Sequence, residues 1–143
     1  MKKILLINGP NLNLLGQREE EIYGTVSFDE ILADLKQTAA KSGAEIEYFQ
    51  SNHEGEIIDR MHQGIGNIDY IIFNPGALTH YSYSIRDAIK AIKIPLVEVH
   101  ISNIYGREKW RSKSVISPVA AGTISGFGAY SYSMAIDFIL KQQ

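Results

Sequence analysis

The sequence contains no cysteine, which excludes disulfide bonds, thiolate nucleophiles and cysteine-ligated metal sites together. It also lacks a basic run, and its formal net charge is −2, so a nucleic-acid partner has little support. The apolar run near the start, Ile4 to Ile7, stops at Asn8 and is too short for a signal-peptide core or a membrane span. These absences predict a cytoplasmic protein with neither a nucleic-acid nor a membrane partner.

Features typical of cofactor and metal sites are also missing. No phosphate-binding loop with Lys-Ser or Lys-Thr follows the first apolar run, and Gly126-Phe127-Gly128 is only a weak match to a dinucleotide loop. No histidine has metal-ligand spacing: His53 and His62 belong to a helical region, whereas His80 and His100 fall at strand ends, where functional and structural roles are equally open. The sequence therefore predicts no metal and no cofactor.

Strand-like and helix-like segments alternate five times along the 143 residues. We expect one domain over residues 1–143, since this length suits a single core. The predicted strands are Ile4–Ile7, Glu45–Phe49, Tyr70–Phe73, Leu96–Ile101 and a weaker Ala120–Ser125. Alternation of this kind predicts a parallel sheet with right-handed crossovers and helices on both faces. The expected fold class is α/β, a flavodoxin-like three-layer fold with a five-stranded parallel sheet in order 2-1-3-4-5.

Helix signals occupy the intervals between these strands. Ser27-Phe28-Asp29-Glu30 has the pattern of a capping box and predicts a helix start. The second helix is expected to bury Ile57, Met61 and Ile65, and a further helix to begin within residues 79–82. Residues 102–113 are polar and predict at most one short helix.

Polar side chains gather where the third strand ends. Residues 74–87 contain seven of them: Asn74, Thr79, His80, Ser82, Ser84, Arg86 and Asp87. Ligands bind at the carboxyl edge of open α/β sheets, so the cluster favours a site over the alternative that it is only a turn with helix caps. A connection of about 18 residues after the first strand is far longer than usual and is typical of a lid or binding loop.

The strand order places three strand ends at one crevice. The candidate groups there include Asn11, Arg18 and Tyr23 from the first loop, and Glu98 and His100 from the fourth strand. Acids, bases, amides and cations in this combination suit a small polyhydroxylated anion better than an apolar cofactor.

These residues resemble the type II 3-dehydroquinate dehydratases. The resemblance rests on segments that follow one another over nearly the whole chain: Asn8-Gly-Pro-Asn-Leu-Asn-Leu-Leu-Gly16, Arg18-Glu19, Tyr23-Gly24, Gln50-Ser-Asn52, Glu54-Gly55, Asn74-Pro-Gly-Ala77, Thr79-His80, Ile85-Arg-Asp87, Glu98-Val-His-Ile-Ser-Asn103, Arg107-Glu108 and Arg111. It departs from the usual pattern at Glu20, Gly106 and Trp110, of which Glu20 replaces a common proline in the lid. None of these departures removes a group to which the resemblance gives a catalytic role.

The resemblance implies a hydro-lyase of the shikimate pathway, in aromatic amino-acid biosynthesis, that converts 3-dehydroquinate to 3-dehydroshikimate and water by anti elimination through an enolate. By position, Tyr23 would be the base, Arg18 the residue that lowers the pKa of Tyr23, and His100 the general acid. Asn11 would hold a water at the enolate oxygen, and Glu98 would orient His100. The implied substrate-binding residues are Asn74, His80, Asp87, Ile101, Ser102 and Arg111. A homododecamer, built as a tetramer of trimers, is implied in the same way.

Two alternatives remain at this point. One is a flavodoxin-like module that binds a small ligand or FMN without catalysis, and the other is a purely structural assembly subunit. Neither accounts for arginine, tyrosine and histidine at the ends of different strands. Tyr81, Tyr83, Tyr105, Tyr130 and Tyr132 are interpreted as packing or interface residues.

Overall fold

A five-stranded parallel sheet forms the centre of the computed structural model, which describes residues 1–17, 21 and 27–142. The strands are β1 (Lys2–Asn8), β2 (Ala44–Gln50), β3 (Tyr70–Asn74), β4 (Leu96–His100) and β5 (Gly122–Ser125). Their order is β2-β1-β3-β4-β5, and every neighbouring pair is parallel. This confirms the predicted α/β flavodoxin-like architecture.

Four α-helices in the described residues cover the two faces of the sheet: α1 (Phe28–Lys41), α2 (Glu54–Gln63), α3 (Tyr83–Ile92) and α4 (Tyr130–Leu140). Helices α1 and α4 pack on one face over Ile4, Leu6 and Ile72. Helices α2 and α3 pack on the other face over Leu5 and Ile71. The central strands are apolar on both sides because both sides are covered.

Three sequence-based details need correction. Ser27 is the N-cap of α1, but its side chain makes no capping hydrogen bond, so the predicted capping box is not formed. Ile65 is exposed because α2 ends at Gln63, before the turn that contains Ile65. Residues 102–113 form two separate 3-10 turns, Ile104–Gly106 and Lys109–Ser112, where the sequence predicts at most one short helix.

Candidate active site

The loops after β1 and β3 are held in direct contact at the carboxyl edge of the sheet. The Gly9 N–H donates a hydrogen bond to the Asn74 carbonyl oxygen at 2.7 Å. A Cβ atom at position 9 would lie 2.5 Å from the Pro75 carbonyl oxygen, so only glycine fits this approach. The two loops are therefore fixed relative to each other, and ligand-binding groups can be positioned beside them.

Asn11 occupies an unusual backbone conformation in the loop after β1. Its φ angle is 71°, in the left-handed region that asparagine tolerates better than most residues. The Asn11 N–H donates to the Asn52 side-chain oxygen at 2.9 Å, and the Gln50 amide donates to that same oxygen at 3.2 Å. Gln50 also donates to the Gly9 carbonyl oxygen at 3.2 Å. The end of β2 thus holds the backbone of Asn11 in position.

A buried acid–base pair lies at the end of β4. Glu98 is fully buried and His100 nearly so, and the His100 Nε2 lies 2.5 Å from the Glu98 Oε2. An ionised carboxylate can only accept hydrogen bonds, so Nε2 carries the proton of this bond. Nδ1 is then the ring nitrogen that remains for a ligand. In this geometry the Glu98 carboxylate fixes the orientation of the His100 ring and stabilises its positive charge when the ring is protonated.

Three hydroxyl groups complete the surroundings of Glu98. Thr79 donates to Oε2 at 2.5 Å, Ser117 donates to Oε1 at 2.6 Å, and Ser114 contacts both oxygens at 3.0–3.1 Å. Burial on its own raises the pKa of Glu98, but the hydrogen bond and charge of His100, with the hydroxyls of Ser117 and Thr79, outweigh it. The pKa therefore lies below its ordinary value of 4.5, and Glu98 is ionised at neutral pH.

His80 is held differently. Its Nδ1 lies 2.6 Å from the Lys113 carbonyl oxygen, which can only accept, so Nδ1 is protonated. Its ring packs edge-on against Trp110 with a centroid distance of 5.2 Å. Burial is the main cause that lowers the pKa of His80 below 6.5, and the charges of His100 and Arg111 add to the lowering. A neutral ring leaves Nε2 as an acceptor for a ligand hydroxyl.

Two arginines bring positive charge to the same place. The Arg111 Nε donates to the Glu108 carboxylate at 3.0 Å, and its guanidinium lies 4.1 Å from the centre of the Trp110 ring. Arg107 Nη1 donates to the Ser102 hydroxyl at 3.0 Å. Planar guanidinium groups fixed in this way are suited to a carboxylate ligand.

These groups surround a cavity of about 110 Å³ at the carboxyl edge of the sheet. It is lined by Pro10, Asn11, Leu12, Asn74, Gly76, Ala77, His80, His100, Ile101, Ser102, Ile104, Arg107 and Arg111. Seven of the predicted site residues are therefore brought together: Asn11, Asn74, His80, His100, Ile101, Ser102 and Arg111. Glu98 lies behind the cavity and reaches it through His100.

The remaining predicted site residues are not among the lining groups. Asp87 is exposed on α3 and does not line this cavity, contrary to the expectation that it joins the cluster at the end of β3. Arg18 and Tyr23, together with the departure at Glu20, lie outside the described residues.

Sequence reasoning missed several contributors to this site. Arg107 lines the cavity but received no assigned role. The hydroxyls of Ser114 and Ser117 come from a segment without any recognised motif. Tyr132, interpreted as a packing residue, is fully buried and bonded to Asn74. The pair of arginines in the polar segment after β4 was a usable signal, whereas the contacts of Ser117 and Tyr132 depend on the tertiary fold.

No helix in the described part of the chain is long and apolar enough to cross a membrane. No group of three or more acidic, histidine or cysteine side chains among those residues is arranged to hold a metal ion.

Comparison with known proteins identifies the family. Residues 2–140 match the family model described as dehydroquinase class II. A 3-dehydroquinate dehydratase from Caldicellulosiruptor bescii is 59% identical, with 99% of this chain and 98% of that protein covered. The crystal structure of the type II dehydroquinase from Butyrivibrio crossotus has a TM-score of 0.95 at 48% identity, covering 99% of this chain and 98% of that one. That of the type II dehydroquinase from Propionibacterium acnes also has a TM-score of 0.95, at 38% identity and the same coverage.

A parallel sheet in this order, with a histidine–carboxylate pair and guanidinium groups at its carboxyl edge, defines an α/β enzyme that acts on a small anion. The chain belongs to the class II dehydroquinases, the type II 3-dehydroquinate dehydratase family of hydro-lyases in the shikimate pathway. This membership favours the catalytic interpretation over the non-catalytic flavodoxin-like module.

Proposed function

We propose that this chain removes water from 3-dehydroquinate to give 3-dehydroshikimate, by anti elimination through an enolate. The observation that carries the proposal is the buried Glu98–His100 pair beside a cavity that also contains arginine side chains. In this proposal a proton leaves C2, alpha to the C3 ketone, and the C1 hydroxyl departs as water. The two events require a base on one face of the ring and an acid on the other.

His100 is the proposed acid. Its Nε2–H is donated to Glu98, so in the protonated ring Nδ1–H is the bond available to the departing hydroxyl. The negative charge of Glu98 stabilises the imidazolium before the transfer and fixes the plane of the ring. After the transfer His100 is neutral, and Nδ1 must take up a proton from solvent before the next turnover.

Tyr23 is the proposed base, with Arg18 as its activator. A free tyrosine has a pKa of about 10, so little phenolate exists at neutral pH without a nearby cation. Arg18 lies five residues before Tyr23 in the sequence, within the connection from β1 to α1. Loss of the Arg18 charge is therefore expected to raise the pKa of Tyr23 and to move the acidic limb of the activity profile, where the base becomes protonated, to higher pH.

Substrate binding is assigned to the groups around the cavity. Arg111 suits the substrate carboxylate, and the backbone N–H groups of Ile101 and Ser102 suit its oxygens. Asn11 is proposed to hold a water against the enolate oxygen, and Asn74 and His80 to bind ring oxygens. Asp87 remains a proposed substrate-binding residue, but it meets a ligand only if α3 of one subunit packs over the cavity of another.

The proposed assembly is a homododecamer, a tetramer of trimers, and the proposed location is the cytoplasm. The proposed small-molecule partner is 3-dehydroquinate. The assembly is measured by light scattering coupled to size-exclusion chromatography. A monomer that turns over substrate at the full rate would contradict both the oligomer and the role of Asp87 across subunits.

The test of function follows the ultraviolet absorbance of the conjugated product after addition of 3-dehydroquinate to the purified protein. We expect turnover by the native protein, almost none by Tyr23→Phe, and almost none by His100→Ala with ligand affinity retained. Tyr81→Phe is the matched control, since Tyr81 is exposed and does not line the cavity. A large rise in KM with kcat unchanged in His100→Ala would make His100 a binding group and contradict its role as the acid.

The activator role of Arg18 is tested by the pH dependence of kcat/KM. Arg18→Gln keeps hydrogen bonding without the charge, and its activity should partly recover in alkaline buffer. Arg18→Lys keeps the charge without the planar fork and should rescue only in part. A profile for Arg18→Gln that is lowered uniformly at every pH would contradict activation of Tyr23.

A further inference from the structure

A chain of buried polar side chains lies beneath the cavity, within the otherwise apolar layer between the sheet and helices α1 and α4. Asn74 Nδ2 donates to the Tyr132 hydroxyl oxygen at 2.8 Å, and that hydroxyl donates to Asn8 Oδ1 at 2.8 Å. Asn8 Nδ2 in turn donates to the Tyr48 hydroxyl oxygen at 3.3 Å. Tyr132 and Asn8 are fully buried, and Asn74 is 3% exposed.

The sheet register brings this chain together. Asn8 and Asn74 are direct partners at the ends of β1 and β3, so their side chains emerge at the same level on the same face. Tyr132 comes from the first turn of α4, 58 positions further along the chain than Asn74. The Tyr132 hydroxyl therefore forms hydrogen bonds with the residues at both strand ends, Asn8 and Asn74.

The donor and acceptor pattern fixes the orientation of the Asn74 amide. The Gly76 N–H lies 3.2 Å from Asn74 Oδ1, and an N–H can only donate, so the oxygen must face Gly76. The Tyr132 hydroxyl has one proton, which it gives to Asn8, and so it accepts from Asn74 Nδ2. One Nδ2–H of Asn74 is thereby used, and its second N–H remains for the cavity that Asn74 lines.

A role for Tyr132 as an acid or base is not supported. Burial raises the pKa of Tyr132 above its ordinary value of 10.0, so the phenol remains neutral under all conditions in which the protein would work. It also does not line the cavity. Its hydroxyl therefore acts through Asn74 and not on a ligand.

We propose that Tyr132 is a positioning residue for the dehydration, which acts by holding the Asn74 amide so that its second Nδ2–H is presented to the substrate. The inference rests on the proposed activity and assigns to α4 a part in the site. A phenylalanine at position 132 would keep the packing against Phe28 but would free the Asn74 amide to rotate.

The test is a double-mutant cycle in kcat/KM with Tyr132→Phe and Asn74→Ala. Tyr132→Phe in the native background should lower kcat/KM by about five- to tenfold, the range expected for one misdirected hydrogen bond. The loss should appear in the same parameter, kcat or KM, that Asn74→Ala changes. In the Asn74→Ala background, Tyr132→Phe should cause less than about a twofold further loss, because the group it positions is absent.

Ser131→Ala is the matched control for general destabilisation of α4. Ser131 is also fully buried, and its hydroxyl accepts a hydrogen bond from the Phe127 N–H at 3.2 Å without contact to Asn74. Thermal unfolding should show a loss of stability in both variants, while kcat/KM falls only in Tyr132→Phe. Equal losses of kcat/KM from Tyr132→Phe in both backgrounds, or no loss at all, would overturn the inference.

A second variant keeps the test valid if Tyr132→Phe does not fold. Asn8→Ala removes the acceptor that directs the Tyr132 hydroxyl, and it should lower kcat/KM in the native background but not in Asn74→Ala. An additive result for Asn8→Ala would overturn the inference in the same way. Absence of turnover by the native protein would instead contradict the proposed activity itself, so the two failures are distinguishable.

Discussion

Replacement of Glu98 by glutamine tests how much of the activity depends on the charge behind His100. The glutamine side chain keeps the length and one acceptor oxygen for the His100 Nε2–H, and the neighbouring hydroxyls of Thr79, Ser114 and Ser117 can rotate to donate or accept. The variant therefore removes the negative charge with little change in packing. The effect on activity should come chiefly from a less stable imidazolium.

The size of the loss in kcat/KM can be estimated from the geometry of the Glu98–His100 pair. A hydrogen bond to a charged partner contributes about 1.5–3 kcal/mol, and each ~1.4 kcal/mol changes a rate about tenfold. With the His100–Glu98 contact at 2.5 Å and both groups buried, the upper part of this range is appropriate. We expect Glu98→Gln to lower kcat/KM at neutral pH by roughly 40- to 150-fold.

The separate values of kcat and KM provide the diagnostic part of the assay. Glu98 does not line the cavity, so the loss should appear chiefly in kcat, with KM little changed. Glu47→Gln is the matched control, because Glu47 is also paired, with Arg60 at 2.5 Å, but lies away from the cavity. A folded Glu98→Gln variant with native kcat/KM, or one whose loss appears only in KM, would refute the reasoning.

Three further predictions concern the groups that support the site. Ser117→Ala removes a hydroxyl that lowers the pKa of Glu98, so this pKa should rise. A carboxyl whose pKa is depressed in the folded state stabilises the fold above its unfolded-state pKa, and this contribution is lost as the pH falls. Acid unfolding of Ser117→Ala, followed by circular dichroism, should therefore begin at a higher pH than that of the native protein. Gly9→Ala should lower the free energy of unfolding by about 1–3 kcal/mol in chemical denaturation and weaken activity, because its Cβ would collide with the loop after β3. Gly55→Ala is the control and should not destabilise the protein, since a Cβ at position 55 would meet nothing within 4 Å. The pKa of His80 should lie below 6.5, with Nδ1 protonated in the neutral ring, as measured by nitrogen-detected NMR. Between the folded-state and unfolded-state pKa values the unfolded state binds more protons, so the protein should lose stability as the pH falls through this range. A measured pKa above 6.5 would contradict the burial argument.

The sheet could be predicted from the sequence because its central strands carry apolar side chains on both faces. Residues 4–7 and 70–73 form uninterrupted apolar runs, each followed by asparagine, and both are buried strands that end at the site edge, as the pattern predicts. The strand order followed from the general preference for this topology and from the family resemblance. The exposed position of Ile65 was missed because helical spacing continues in the sequence after α2 has ended at Gln63.

The site residues could be predicted from the sequence where they lie at the end of a strand. Glu98 and His100 lie two positions apart on β4, and alternation in a strand places both side chains on one face. The partners of Glu98 were not predictable in this way. Thr79, Ser114 and Ser117 come from separate loops, and an isolated serine in a loop has no pattern that distinguishes a carboxylate partner from a solvated hydroxyl.

Two separate networks support the site from opposite faces of the sheet. Glu98 and His100 lie on the face covered by α2 and α3, since Phe73, the register partner of Glu98, packs in that layer. Asn74 and Tyr132 lie on the face covered by α1 and α4, together with Ile72. No side-chain hydrogen bond joins the two networks in the described residues, and each reaches the cavity through one group.

This separation has a consequence for how the site responds to change. Perturbations that share no partner combine additively to within about 0.5 kcal/mol, whereas members of one network do not. Glu98→Gln and Tyr132→Phe should therefore have independent effects, so that the double variant loses kcat/KM by the product of the two single losses. Glu98→Gln combined with His100→Ala should fall well short of the product, because both changes remove the same acid. A double variant of Glu98 and Tyr132 that loses much less than the product would mean that the acid and the amide are coupled through the sheet. The two faces would then form one network, and the orientation of Asn74 would depend on the charge of Glu98.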